Sequence, residues 1–303
     1  MREILYILSP SFSGSTLLTF MLATHPEIAT VGELKASAIG DVESYRCSCG
    51  ALLKQCDFWR KVETGMKHNG AQFDFSDFGT HFSTRPTSFR RLIRLGTRNG
   101  ILRQSSSQLL RILPSCRTRL DRIIDQNRIL IDLIGSIQGG RLFLDGSKDP
   151  ERLNQLLLSE QWKVRVVHLL RDGRGVANSY RNHNRVDMRT AASEWVRTDR
   201  ACARLASWIA PRDVLTVKYE DVCLEPQVTL ARIFSFAGLM QSDSTGDSSA
   251  ARPHILGNAM RLNGDRAITL DERWKGDLGQ EDLKAFEAIA GDYNRSRGYK
   301  ENG

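Results

Sequence analysis

The stretch SPSFSGSTLL, residues 9–18, puts a turn of Ser and Gly between an apolar run at 4–8 and another at 17–22. A strand that ends in such a turn and continues into a helix presents free backbone N–H groups at the positive end of a helix dipole, an arrangement that holds a phosphate. Ser13, Gly14, Ser15, Thr16 and Leu17 would supply those N–H groups, and Ser13, Ser15 and Thr16 add hydroxyl donors. A plain helix start with Ser13 or Ser15 as its cap fits the same residues about as well. The ATP-binding pattern GxxxxGK[ST] is absent, since no Lys follows Gly14, and no strand-ending Asp is dedicated to Mg²⁺. The expected anion is therefore not ordinary ATP–Mg²⁺.

A second stretch, LLRDGRGVANS at 169–179, carries complementary chemistry. A strand would deliver Arg171 to the rim, and a helix from Arg174 would bring Ser179 nearby. An arginine fork plus a hydroxyl suits a monophosphate. The plainer reading is a surface ion pair, Arg171–Asp172, closing a turn. The two stretches together favour a common anion site.

Positioning these residues requires a particular frame. Runs at 3–8, 141–145, 164–170 and 214–219 read as strands, with a further short extended piece before Val31. Helices fit 15–24, stopped by His25-Pro26, and 150–159, with Pro150 in the first turn, as well as 174–182, 190–209 and 226–239. Alternation of strand and helix implies an α/β fold with a P-loop-like central parallel sheet flanked by helices. Ligands then bind at the carboxyl ends of the strands, where residues 9–16, 145–149, 171–174 and 219–221 all fall. Residues 60–140 form a helical insertion, and 240–250 read as a flexible polar loop. The 303 residues suit a single domain over 1–303 with that insertion.

Composition narrows the class. The 41% hydrophobic and 26% charged fractions are those of a globular protein, and no apolar run is long enough for a membrane span. The N-terminus lacks a signal-peptide pattern, and six cysteines are too few for a disulfide scaffold, so a cytoplasmic protein is expected. The net charge of +8 is local: residues 81–120 hold nine arginines and no Lys, Asp or Glu, leaving the rest of the chain near neutral. Such a patch implies an anionic partner. Its sequence, basic and amphipathic at 89–95 and 101–113, fits a helical lid with an exposed basic face, a lid that reads an anionic acceptor, or peripheral contact with an anionic membrane through 85–119. Nucleic acid is not expected, because no aromatic platform interleaves the arginines.

Taken in order, the motifs resemble those of sulfotransferases that use 3′-phosphoadenylyl sulfate (PAPS), in a bacterial branch related to the protein-tyrosine type. SGSTLL, HP at 25–26 and VGEL at 31–34 match the opening block of that family. LDGSKDP at 144–150 matches a middle block, while HILGNAMR at 254–261 and DERW at 271–274 match the C-terminal part. The resemblance implies that the 9–17 loop holds the 5′-phosphosulfate and that Arg171 and Ser179 hold the 3′-phosphate. It implies Glu33 as general base and Lys148 as the contact that stabilises the leaving phosphate. Tyr219, Asn258 and Arg261 are implied on the nucleotide side, with Arg273 and Trp274 as weaker candidates. The acceptor would be a hydroxyl-bearing sugar, lipid or small molecule, or an amine, and the insertion at about 60–140 would form its lid. PAPS would be the cosubstrate, with no metal required. A small-molecule kinase with a P-loop-like fold, or a catalytically weak nucleotide-binding homologue, are the alternatives.

Phe12 departs from the pattern, because many family members place Arg or Lys there. Lys148, backbone N–H groups or Lys35 would then supply the charge. Cys47, Cys49 and Cys56 resemble a feature of the bacterial branch. Three cysteines with a CxC rather than a CxxC spacing fall short of the usual zinc set, and zinc would need a remote fourth ligand, so the expectation is reduced thiols in a lid near the acceptor and no metal.

Overall fold

The computed structural model describes residues 3–34, 40–82, 87–240, 254–257, 262 and 268–300. Five strands form one parallel sheet in the order β2-β3-β1-β4-β5. They are β1 (Glu3–Leu8), β2 (Ile28–Thr30), β3 (Leu142–Asp145), β4 (Lys163–Leu170) and β5 (Val214–Lys218). β1 lies at the centre, with Tyr6 opposite Asp145 on one side and Val166 on the other. Both faces of β1 are covered, as its unbroken apolar run requires. Ile4, Tyr6 and Leu8 enter one core, and Leu5 and Ile7 enter the other, following the two-residue period of a strand.

The second core holds α1 (Ser15–Leu22), which follows β1 and contributes Leu18, Met21 and Leu22. Between β2 and β3 come α2 (Asp57–His68), α3 (Thr87–Arg98), α4 (Gly100–Ile112) and α5 (Pro114–Gln138). This stretch is the helical insertion expected at 60–140, and it shares the core of the sheet. Leu130, Ile131 and Ile134 of α5 pack with Ile4, Ala29 and Phe143. At its end, Gln138 accepts from the Thr30 N–H at 2.7 Å and donates to the Thr30 carbonyl at 3.0 Å. One amide thus closes the exposed edge of β2.

β3 leads into α6 (Pro150–Ser159), and β4 into α7 (Gly173–Asn184) and α8 (Met188–Ala206). After β5 come α9 (Tyr219–Leu224) and α10 (Pro226–Ala237), then α11 (Trp274–Asp277) and α12 (Gln280–Ser296). Tyr219, read as the end of a strand, is in fact the first residue of α9. Trp274 is buried in the cluster that joins α7, α8 and α12, which makes it a core residue.

The arginine patch is divided in its partners. Arg94 pairs with Glu151 at 3.2 Å, Arg103 donates to Asn154 at 2.7 Å, and Arg111 donates to the Leu158 carbonyl at 2.7 Å. These three tie α3 and α4 to α6, while Arg90, Arg91 and Arg98 face outward. Arg85 lies outside the described residues, as does the stretch expected at 240–250 to be a polar loop, apart from Met240. No helix among the described residues is long and apolar enough to cross a membrane.

Candidate active site at the carboxyl edge of the sheet

β1 ends at Leu8 and the chain turns sharply before α1. Phe12, at φ 66°, and Gly14, at φ 85°, both take the left-handed conformation. Gly14 is the N-cap of α1 and no side chain caps that helix, so neither Ser13 nor Ser15 plays the capping role. The N–H groups of Ser15, Thr16 and Leu17 precede any intrahelical partner. Ser13 is fully buried, and its hydroxyl has no hydrogen-bond partner among the described residues. A buried hydroxyl without a partner is costly, which marks this turn as built for something it binds.

Gly14 is required here for two reasons. Its φ suits glycine, and a Cβ would collide with Cδ2 of the Tyr219 ring. Gly14→Ala should therefore cost about 1–3 kcal/mol of stability from backbone strain alone. A urea melt checks this, and a midpoint equal to wild type would contradict it.

Tyr219 sits beneath the loop as a spacer. The guanidinium of Arg171 lies 4.4 Å from the centre of its ring. The Tyr219 hydroxyl accepts the Asp271 N–H at 3.2 Å, and burial pushes its phenol up to about 12. Arg171, buried at the end of β4, donates from Nη1 to the Phe12 carbonyl at 2.8 Å. From Nη2 it donates to the Asp271 carbonyl at 2.9 Å and pairs with the Asp271 carboxylate at 3.2 Å. Hydrogen bonds from Arg273, with Arg171 alongside, hold the Asp271 carboxyl well below the usual carboxylate range. Arg273 itself is exposed. Ser179 lies on α7 one turn beyond Gly175, where an added Cβ would stand 3.2 Å from Nε of Arg171. Residues i and i+4 share a helix face, so Ser179 follows Arg171 along the same side of α7.

Phe12 is accounted for by packing. Its ring meets Tyr180 edge-on at 6.2 Å and His183 at 5.4 Å, both on α7. The side chain anchors the loop while the carbonyl receives Arg171. Lys35, the alternative cation, lies outside the described residues.

Glu33 follows β2 and Lys148 follows β3, and the two meet. Nζ of Lys148 donates to Oε1 of Glu33 at 2.5 Å, with each side chain about one-sixth exposed, at 15% and 16%. Both are positioned from several directions. Gly146 donates to the Gly32 carbonyl at 2.8 Å, and the Thr80 hydroxyl donates to the Leu34 carbonyl at 2.6 Å. Tyr6 of β1 accepts the Asp149 N–H at 3.0 Å and donates to its carbonyl at 2.9 Å. Lys148 itself has φ 62°, a left-handed conformation that persists only when its surroundings enforce it. A buried ion pair, Arg152–Asp145 at 2.8 Å, sits under this turn.

The structure thus assembles Ser13 to Leu17 with Arg171 and Tyr219, and Glu33 with Lys148. Asn258 and Arg261 lie outside the described residues. Of the supporting residues, Tyr6 and Arg152 carry no signal in the sequence analysis, while Asp145 and Asp271 stand inside the LDGSKDP and DERW blocks without a role of their own. Cys47, Cys49 and Cys56 are joined by His254, and the ligand-type atoms of the four side chains lie within 4.8 Å of one another.

A family model described as the sulfotransferase family matches residues 5–243. The chain belongs to the sulfotransferase family. Among solved structures, this sulfotransferase is similar to the sulfotransferase domain from the olefin synthase of Synechococcus PCC 7002. That match has a TM-score of 0.50 and 20% identity, covering 95% of this chain and 94% of the other. It is also similar to a sulfotransferase domain from the curacin biosynthetic pathway, with a TM-score of 0.51 and 17% identity over 99% of each chain. No curated protein sequence matches it. At these identities the structural likeness speaks for the fold, a parallel sheet flanked by helices, while the family match speaks for sulfuryl transfer. In this sulfotransferase the residue before Ser13 is an apolar anchor, and Arg171 is a cation that touches the loop.

Proposed function

We propose that this sulfotransferase moves the sulfuryl group of PAPS to a hydroxyl-bearing acceptor (an amine is the alternative), with Glu33 as general base and Lys148 stabilising the leaving phosphate. The observation that carries the reading is the turn at 13–17. A buried, unpartnered Ser13 hydroxyl and an uncapped helix N-terminus lie on the same sheet edge as the Glu33–Lys148 contact. The turn fits a phosphosulfate, with N–H and O–H donors converging where negative charge would rest.

In the transfer, a new S–O bond to the acceptor forms as the S–O bond to the 5′-phosphate breaks. Glu33 takes the acceptor proton, and the phosphate leaves carrying the bond's electrons. Developing charge on that oxygen needs a cation, and Lys148, paired with Glu33, is placed to supply it. The present ion pair implies a hand-over: when the donor binds, Lys148 turns toward the phosphate and frees the carboxylate. In-line placement of the acceptor supplies the remaining acceleration.

Arg171 and Ser179 are assigned to the 3′-phosphate. Arg171 has five N–H donors, and beyond its bonds to Phe12 and Asp271 its Nε and a second Nη1 N–H have no partner among the described residues. Arg171→Ala should weaken PAPS binding by about 1.5–3 kcal/mol. Calorimetric titration measures this, with Ser179→Ala as the companion that leaves the Phe12 contact intact. Unchanged affinity in both would overturn the assignment. Asn258 and Arg261 complete the proposed nucleotide contacts, and the 60–140 insertion is proposed as the acceptor-side lid of a single domain spanning 1–303.

The same insertion supports peripheral contact with an anionic membrane. On α4, Ile101 is 87% exposed and Ile112 71% exposed, eleven residues apart and so on one face of the helix, and the outward-facing Arg98 stands just before α4. An apolar face rimmed by arginines suits a lipid surface. Co-sedimentation with vesicles containing phosphatidylserine should exceed that with neutral vesicles and fall on Ile101→Asp/Ile112→Asp. Equal binding to both vesicle types would contradict it. Six free cysteines fit a reducing, cytoplasmic setting.

A further inference from the structure

Four side chains with no part in sulfuryl transfer meet at one point. Cys47, Cys49 and Cys56 come from the segment before α2, and His254 comes from about two hundred residues further along the chain. Their three Sγ atoms and the histidine ring nitrogen all lie within 4.8 Å of one another. Cys49 and Cys56 sulfurs are 3.7 Å apart, and Nδ1 of His254 is 3.5 Å from Cys47 Sγ and 3.2 Å from Cys56 Sγ. Zinc bonds of about 2.3 Å to sulfur and about 2.0–2.1 Å to nitrogen give a tetrahedron with edges of roughly 3.4–3.8 Å. The 3.7 and 3.5 Å separations have that size, and the 3.2 Å one is slightly shorter. They are far too long for a disulfide, whose sulfurs stand at about 2.05 Å.

We propose that Cys47, Cys49, Cys56 and His254 form a structural zinc site. Four protein ligands leave no open position, so the ion would hold structure and take no part in chemistry. Thiolate and imidazole donors in a tetrahedral arrangement select zinc over magnesium or calcium.

The surroundings are organised for it. The Gly50 N–H bonds to the Cys47 carbonyl at 2.9 Å, folding the CSCG segment into a turn that brings Cys47 and Cys49 together. Cys56 is the N-cap residue of α2, which sets it beside the first, unpaired N–H groups of that helix. Such N–H groups at a helix N-terminus stabilise thiolate charge. The Phe58 ring stacks on the His254 ring at 4.5 Å and 4°, which fixes the imidazole with Nδ1 toward the sulfurs.

The site lies beside the catalytic edge. From His254 the chain runs along β2's extension: Leu256 donates to the Val31 carbonyl at 2.7 Å, and Gly257 donates to the Tyr45 hydroxyl at 2.9 Å. Ile255 donates to the Ser48 hydroxyl at 2.7 Å, between the two nearest cysteines. An added Cβ on Gly257 would stand 2.8 Å from Oε1 of Glu33, so this backbone forms the wall against which the carboxylate rests. The zinc would fasten that wall to the 47–56 turn.

The test does not depend on activity. Protein purified under reducing conditions should contain one zinc per chain by mass spectrometry, and Cys49→Ser should lose it. Cobalt exchanged into the wild-type chain should show a thiolate-to-cobalt charge-transfer band and the intense d–d bands of a tetrahedral site, altered in His254→Gln. A wild-type chain that is folded by circular dichroism, holds no zinc and shows no such bands after reconstitution with cobalt would overturn the proposal. Weak d–d bands of a six-coordinate ion would overturn it equally. The wild-type measurements decide the matter even if the variants fail to fold.

Discussion

Glu33→Gln should lower turnover about a hundred- to ten-thousand-fold, the range general-base catalysis contributes. The substitution keeps the size and planarity of the group. Its amide oxygen can still accept from Lys148, whose Nζ lies 2.5 Å from the native Oε1. The tight wall at Gly257 should tolerate an isostere, since no atom is added. What disappears is the capacity to take a proton from the acceptor. The donor turn at 13–17 is on a different strand end, so affinity for the desulfated nucleotide, 3′-phosphoadenosine 5′-phosphate, should be unchanged. Single-turnover assays and nucleotide titration separate the two quantities. A variant with near-wild-type turnover would remove Glu33 from the mechanism.

Arg152→Met should destabilise the fold by about 3–5 kcal/mol, the cost of leaving one member of a buried ion pair alone. Arg152 and Asp145 have side chains 2% and 0% exposed and meet at 2.8 Å. Asp145 also accepts the Ser147 N–H at 3.0 Å, and Arg152 reaches the Thr80 carbonyl at 2.9 Å. The pair therefore braces the turn that presents Lys148 and links it to the insertion. With the guanidinium gone, the Asp145 carboxylate has no compensating charge in a dry site. Adding Asp145→Leu to Arg152→Met removes that stranded charge and should recover part of the loss, although the Ser147 N–H then lacks its acceptor. Urea melts of both variants measure the effect. A single-variant cost below about 1 kcal/mol, typical of solvated pairs, would contradict it.

Much of the frame was legible because parallel strands buried on both faces read as continuous apolar runs. β1 and α6 have the expected bounds, and β4, β5, α7 and α10 differ only at their ends. α9 was missed because Tyr219 and Glu220 follow the strand directly, without a cap or breaker. α12 was missed because its apolar face is sparse, with Phe286 and Ala290 against Trp195.

The site was legible as a set of strand-end motifs and not as a set of contacts. Glu33 and Lys148 could each be placed on the rim, but their ion pair joins residues 115 apart. Tyr219 under Gly14 and His254 among the cysteines likewise depend on tertiary placement. The arginine content of 81–120 pointed to an anionic partner, yet three of those side chains serve α6. Charge counts record how much charge a segment carries and say nothing of what it faces.

Transfer of labelled sulfate from PAPS to a panel of hydroxyl acceptors, with wild type and Glu33→Gln side by side and without added Mg²⁺, bears on all of this at once. Label should appear on an acceptor with wild type, need neither ATP nor Mg²⁺, and be nearly lost with Glu33→Gln. PAPS binding without transfer to any acceptor, or transfer of phosphate from ATP–Mg²⁺ in its place, would contradict the assignment.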